Sequence, residues 1–308
     1  MIEYSEEIQN FIQNYNEKYE NNCVPVLQKY ENKRKLMLLL SVITTIALIL
    51  AGVFVLYTAY PNIDKGDVKI GGGLILFGFF GYYIFKKMFE STIKEKVMEP
   101  LMNCFGDIQW SQFYQGDPYA FVKAGLFPNF TSKEYDDVFK CKYKDVNIDI
   151  VESEYSIDGG NSENTVFKGV VIKLEMNKEF NGHTLLCSKS LFAKSPLKSL
   201  TETKMEDVEF NKLYNIYTDD EVEARYVLTT SFIERLKNIN LAFKCKNTRC
   251  AFRKNNLYIA LSTNQDLFSV GSLIKPVADK KQFEDLCNQF ASILALVDTL
   301  KLNIKTGL

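Results

Sequence analysis

The chain is short of the residues that most often carry chemistry. Among its 308 residues there is one histidine, His183, directly after Asn181-Gly182, a pair that favours tight hairpin turns. A histidine-based nucleophile triad would have to be assembled at that exposed corner, so we read His183 as a turn residue. The same scarcity leaves Cys245 and Cys250 without the further soft ligands a zinc site needs. The seven cysteines are odd in number and scattered, which predicts reduced thiols rather than a disulfide framework. Net charge is only −1, and no basic run stands outside two lysine-rich flanks, which argues against a nucleic-acid partner. The glycine run Gly71-Gly72-Gly73 is followed by no lysine-serine or lysine-threonine pair and opens an apolar stretch, so it is not a phosphate-cradling loop.

What the chain does have is two apolar stretches without a charged side chain, Leu36 to Ala59 and Ile70 to Phe85. Crossing a hydrocarbon core of roughly 30 Å takes about 20 helical residues. The first stretch passes easily; the second is short and rich in glycine. Only Tyr60 to Lys69 separates them, so the two run antiparallel, and a lone first span would strand Leu74 to Phe85. A helical hairpin is the simplest solution. Ala47, Ala51 and Gly52 offer the small surface that the glycines of the second span can approach, although a frayed helix start would also explain Gly71-Gly72-Gly73.

Lys29, Lys33, Arg34 and Lys35 precede the pair and Lys86, Lys87, Lys94 and Lys96 follow it, whereas Lys65 and Lys69 in the loop are offset by Asp64 and Asp67. The positive-inside rule then predicts a multi-pass membrane protein with both termini cytoplasmic. The stretch begins too late and is too long for a cleaved signal peptide. With no charged residue in either span, a small transport or channel subunit is the weaker alternative.

Ile8, Phe11, Ile12, Tyr15, Tyr19, Cys23, Val26, Leu27 and Tyr30 recur at helical spacing before the first span, with Pro25 expected to kink the helix or start a new turn. Phe89, Ile93, Val97, Leu101 and Phe105 recur at four-residue steps after the second, with Pro100 expected to disturb that end. Both stripes leave the same hairpin base and are expected to pair as a stalk; the alternative is that either lies on the membrane surface. The predicted organisation is a cytoplasmic amphipathic helix over 1–35, the hairpin over 36–85 with spans 36–59 and 70–85, a stalk helix over 86–106 and a cytoplasmic domain over 107–308.

In that domain Asp117-Pro118 and Gly125 bracket a short helix from Tyr119 to Ala124. Asp136 to Tyr143 and Val146 to Tyr155 form a hairpin about Lys144-Asp145, followed by a loop over Ile157 to Ser162. Val166 to Met176 is a strand, and Asn181-Gly182 turns it into His183 to Cys187. Phe210 to Tyr217 is read as a strand, and Asn256 to Ser262 as a strand paired with Leu241 to Cys245 and Cys250 to Arg253. Ser231 and Glu234 form a capping box for a helix to about Asn240. A final helix from about Asp279 carries Phe283, Leu286, Cys287, Phe290, Ile293, Leu294, Val297 and Leu300 along one stripe. The fold class is α+β: a helical region with a transmembrane hairpin and stalk, then a largely antiparallel sheet with C-terminal helices.

Two blocks resemble a bacterial two-span membrane protein family known as domain of unknown function 3137. One is Val166-Phe167-Lys168-Gly169-Val170-Val171-Ile172 with Lys178-Glu179-Phe180-Asn181-Gly182-His183-Thr184; the other runs from Val208 through Tyr217-Thr218-Asp219-Asp220-Glu221-Val222 to Thr229. The family often has proline after the threonine where this chain has Thr230-Ser231. The resemblance implies two early spans and a C-terminal soluble domain and brings no activity, ligand or catalytic residue with it.

Within the second block Asp219 or Asp220 would cap a helical turn at a strand end, with Arg225 pairing a carboxylate across the junction; these three are the candidate junction or interaction residues. Asp149, Glu152, Glu154 and Asp158 could form an acid-base pair or hold a cation, and solvated strand polarity explains them equally well. No catalytic, cofactor-binding or metal-ligating residue is assigned, and no cofactor. The sequence therefore predicts a membrane-anchored interaction or scaffold module that recruits another protein. A membrane-tethered hydrolase using the carboxylates, or a small transport-associated subunit, is the alternative; oligomeric state is left open.

Overall fold

Proline has no amide hydrogen to donate, and the helix holding Pro25 accommodates that with one wide turn. In the computed structural model, which describes residues 4–160, 163–177, 179–189, 197–268 and 270–305, α1 (Glu6–Lys18) and α2 (Val24–Ala59) are joined by a π-helical turn over Tyr19–Cys23. There the Val24 amide reaches back to the Tyr19 carbonyl. The disturbance expected at Pro25 is thus a local widening in a continuous helix. The next helix, α3 (Lys65–Phe105), passes through Pro100 without ending. It also starts five residues ahead of Ile70, so the connection is shorter than the apolar pattern implied. Asp64 Oδ1 accepts from the Asp67 amide at 2.8 Å and turns the chain into α3.

Contacts divide the chain into two units, Met1–Asn14 with Phe105–Phe268 and Glu284–Leu308, and Tyr15–Cys104 with Ser269–Phe283. In the second of these, α2 and α3 approach through glycine. A Cβ on Gly52 would lie 2.5 Å from the Gly71 carbonyl oxygen, and one on Gly71 2.7 Å from the Leu56 side chain. Thr45 Oγ1 donates to the Gly78 carbonyl at 3.0 Å. Gly72, Gly73 and Gly81 face open space and Ala47 and Ala51 are exposed, so of the expected small-residue surface Gly52, Gly71 and Gly78 make the helix contact. Below the hairpin, Tyr15, Tyr19, Cys23 and Leu27 are buried, as are Phe89, Ile93, Val97 and Leu101. A segment that sequence patterning did not connect with them shares this core. Val270, Leu273, Val277 and Phe283 are buried, Tyr15 Oη donates to the Phe283 carbonyl at 3.0 Å, and a Cβ on Gly271 would press to 2.8 Å from Ile93.

The other unit is a sheet with a covering on each face. Its elements in chain order are β1 (Gln109–Ser111), α4 (Tyr119–Lys123), β2 (Ser132–Tyr143), β3 (Val146–Asp158), β4 (Glu163–Glu175), β5 (Thr184–Ser188), β6 (Thr201–Thr203), α5 (Val208–Leu213), β7 (Tyr214–Thr218), α6 (Glu221–Val227), α7 (Thr230–Ala242), β8 (Asn247–Arg253), β9 (Asn256–Ser262) and α8 (Lys280–Lys305). The strands lie in the order β1-β2-β3-β4-β9-β8-β5-β7-β6, with antiparallel pairing throughout. This is the α+β, antiparallel architecture that the strand runs and terminal helices predict. Alternation sends Tyr155, Phe167 and Val171 to one face, where Phe121, Phe127 and Phe130 cover them. Phe139 and Phe252 point to the other, against Phe290 of α8 and Phe232 of α7.

Turn chemistry placed some elements and misled on others. Lys144 and Asp145 both take positive φ, 46° and 67°, the mirror-image turn that matches strand twist. Asn181-Gly182 does not make such a turn: β4 pairs with β9, while β5 pairs with β7 and β8. Gly182 instead permits close approach, since a Cβ there would sit 2.7 Å from Asp220 Cβ. Residues 210–213 are helical, because Asp207 caps α5 by accepting from the Phe210 amide at 3.1 Å. Likewise α7 runs through Leu241 and Ala242 and leaves no strand there, and its cap is Thr229, bound to the Phe232 amide, rather than Ser231. Lys178, Asn161 and Ser162 lie outside the described residues.

Candidate functional site

Two helices here are long and apolar enough to cross a membrane, Glu6–Ala59 and Lys65–Phe105, and only 11% of the most apolar window of each is buried. Leu39, Leu50, Phe54, Leu76, Phe77 and Phe80 are exposed. Apolar patches of this extent mark interaction with another protein or with lipid. Just before the belt Arg34 is 7% exposed. Its Nη2 and Nε donate to the two Glu31 carboxylate oxygens at 2.7 and 3.0 Å, and its Nη1 to the Leu273 and Ile274 carbonyls at 2.8 and 3.2 Å. Glu31 Oε2 in turn accepts from the Val277 amide at 3.1 Å. Arg34 therefore clamps the 270–277 segment to α2, a role its place among flanking basic residues did not reveal. The pair reinforces itself: Arg34 holds the Glu31 carboxyl below its usual range, and Glu31 holds the guanidinium above its own.

Replacing Arg34 with methionine keeps the stem and removes the fork. Amide exchange across 272–277 should rise, with a loss of about 2 kcal/mol, below the figure for a fully buried pair because Glu31 remains partly solvated. Lysine at this position should not rescue it, since a point charge cannot bind a carboxylate and two carbonyls in one plane. Protection equal to that of the unaltered chain would show that the clamp does nothing.

In the sheet unit the four carboxylates singled out by sequence do not converge. Asp149 lies on the opposite face of β3 from Glu152 and Glu154, given their odd and even positions. Glu154 is bound to Lys168 Nζ at 2.6 Å and to Thr165 Oγ1 at 3.0 Å, and exposed Asp158 accepts from the Gly160 amide at 2.9 Å. Glu152 instead gathers Asp136 and Asp266, with carboxylate oxygens of all three within 4.8 Å of one another. A shift in register between Tyr135 and Val138 turns this part of β2, so sequence spacing could not have brought Asp136 to Glu152, still less Asp266 from beyond β9. Burial first, and then the charges of Asp266, Asp137 and Asp136, push the Glu152 carboxyl up to about 8. At neutral pH it is mainly the protonated acid, able to donate a hydrogen bond that an ionised carboxylate could not.

That shift dictates a pH dependence. The proton is held more tightly in the folded state than in the unfolded chain, where the value is 4.5. The stabilisation is complete below 4.5 and is lost as pH rises through about 8. Glu152→Gln should therefore unfold at higher denaturant than the unaltered chain at pH 9, by on the order of 2 kcal/mol, and the two should converge near pH 5. A difference independent of pH across that window would contradict the assignment.

At the β7–α6 junction Asp220 caps α6, accepting from the Glu223 amide at 3.0 Å. Asp219 accepts from the His183 amide at 2.6 Å. Both carboxylates are thus engaged with backbone. Arg225 lies 3.8 Å from Glu206 and 4.0 Å from Glu221 with its side chain about half exposed, so these pairs contribute little. His183 is not an exposed turn residue: its Nε2 lies 3.0 Å from the Ala124 carbonyl, which can only accept, so Nε2 carries the hydrogen. Burial lowers its pKa. On the face covered by α4, a cleft of about 300 Å³ is lined by Leu126, Phe127, Phe167, Asn247, Arg249 and Ser262 among others, at the low end of the roughly 300–1,000 Å³ of ligand pockets. Arg249 Nη1 donates to the Leu126 carbonyl across it at 2.9 Å. Nothing in the sequence marks this cleft, because its walls come from four separated segments.

No curated protein matches the chain. A solved structure that aligns with it, described as the mycobacterial trehalose monomycolate transport factor A, TtfA, shares 12% identity over 58% of this chain and 92% of that one, with a TM-score of 0.29. That superposition is too loose to bear on fold or role. The informative likeness is to a family: residues 165–302, from β4 into α8, match the one described as Protein of unknown function (DUF3137).

Proposed function

We propose that the chain is a membrane-anchored interaction module of a bacterial inner membrane. Spans 36–59 and 70–85 cross the bilayer, both termini and the sheet domain are cytoplasmic, and the sheet domain recruits another protein. The observation that carries this reading is the pair of long helices whose apolar side chains are left largely exposed among the described residues; lipid removes from water what the fold does not. The basic flanks support the orientation. For the recruiting surface we assign the α5–β7–α6 corner, where Val208, Leu213 and Val222 are exposed along with Arg225. Asp219 and Asp220 shape this corner from behind through their backbone contacts. Crosslinking in intact membranes followed by partner identification tests the proposal. A discrete partner whose capture is lost with Val222→Asp supports it. No partner, together with ester or glycoside hydrolysis by the full chain in nanodiscs that disappears with Glu152→Gln, would replace it with a tethered hydrolase.

A further inference from the structure

Two of the seven cysteines face each other. Cys23 Sγ and Cys104 Sγ are 3.2 Å apart, with the residues 0% and 3% exposed. Cys23 is the last residue of the π-helical turn that Pro25 necessitates, and a π turn re-aims the side chains on either side of it. Cys104 is in the last turn of α3, and its Sγ also lies 3.3 Å from the Pro100 carbonyl, one turn earlier. The two helix irregularities thus flank the two sulfurs. The S–H···S contact lowers the pKa of Cys104, helped by nearby Lys18, and raises that of Cys23. Of the other five thiols, Cys187, Cys250 and Cys287 are buried and Cys141 and Cys245 more exposed, and burial raises all five, so none is poised as a thiolate.

We propose that Cys23 and Cys104 are a redox-modification site, forming a reversible disulfide that ties the start of α2 to the end of α3. A disulfide needs the sulfurs at about 2.05 Å, an approach of roughly 1 Å that rotation about the two side-chain bonds supplies. The oxidant class is a peroxide. Cys104 as thiolate attacks one peroxide oxygen; the O–O bond breaks, the sulfur becomes a sulfenic acid and the second oxygen leaves as water after taking a proton. The Cys23 sulfur then attacks the sulfenic sulfur, the S–O bond breaks, and the hydroxide leaves with the Cys23 proton as water. In sum two thiols and one hydrogen peroxide give one disulfide and two waters. Hydrogen peroxide is water-sized, and local opening at the two helix irregularities admits it. The cross-link spans 81 positions of sequence and encloses the whole apolar hairpin, so oxidation restrains its base.

The test is peroxide titration of the full chain in nanodiscs, blocking of remaining thiols and peptide mapping by mass spectrometry. The expected result is a Cys23–Cys104 peptide, lighter by two hydrogens and reversed by dithiothreitol, at peroxide concentrations that leave Cys141 and Cys245 unoxidised, together with a raised thermal midpoint. Cys23→Ser should strand Cys104 as a sulfenic acid trapped by dimedone, and Cys104→Ser should leave Cys23 unmodified. Oxidation of Cys141 or Cys245 while Cys23 and Cys104 remain alkylatable would overturn the proposal, and the unaltered chain alone decides this if either variant fails to fold.

Discussion

Leu50→Arg combined with Leu76→Arg should remove the chain from the alkali-resistant membrane fraction. Both side chains are largely exposed, 63% and 71%, and each falls within its own apolar stretch. Because neither packs inside the chain, the change costs little in a soluble context. In a bilayer each arginine near the centre of a span costs about 2.5–3.5 kcal/mol on insertion-based scales, so the pair opposes insertion by about 5–7 kcal/mol. Val222→Arg is the control, since Val222 is more exposed still, at 80%, but lies on α6 of the sheet unit. It should leave the membrane fraction unchanged. Equal losses from both would mean that the apolar helices are not the anchor.

The second large effect is expected at Gly169, in the middle of β4 between β3 and β9. Its φ is 145°, and a Cβ would collide with the Leu261 carbonyl oxygen and lie 2.9 Å from the Thr263 amide nitrogen. These are backbone atoms of the neighbouring strand, which registers Gly169 against Ser262, so relief requires the ladder to part. Gly169→Ala should cost about 3–5 kcal/mol, a large share of the 5–15 kcal/mol by which domains are stable. Gly160→Ala separates strain from collision: its φ is also positive, at 80°, but nothing lies within 4 Å of its Cβ position. That substitution should cost only about 1–2 kcal/mol. Denaturant unfolding of the two variants side by side decides the matter, and indistinguishable midpoints would refute the steric account.

What sequence reveals here follows from the range of the forces involved. The hairpin helices were legible because hydrophobic length is a property of consecutive residues, and β2–β3 because the Lys144-Asp145 turn is local. Beyond β2–β3 and the pairing of 250–253 with β9, strand neighbours were not. Nothing within a few residues of Asn181-Gly182 records that Gly182 must clear Asp220, some forty positions away, and the hairpin preference of the dipeptide gave way to that approach. The same holds for the caps: Asp207 and Thr229 each compete with neighbours of similar propensity, and packing of Phe210 and Phe232 selects among them. The carboxylate trio and the Arg34 clamp were hidden for a further reason. Each completes itself with a remote residue, Asp266 in one and the 273–277 backbone in the other, and side chains that look like solvated polarity in sequence are drawn inward.

The account rests on a hairpin that crosses the membrane with its short connection on one side and everything else on the other. Asn62→Cys places a thiol in that connection, at an exposed position. Labelling of intact cells or right-side-out vesicles with a membrane-impermeant maleimide should mark this cysteine and leave the native ones, including Cys141 and Cys245, unmodified until the membrane is opened. Labelling of Cys141 or Cys245 from outside, with Asn62→Cys protected, would contradict the account.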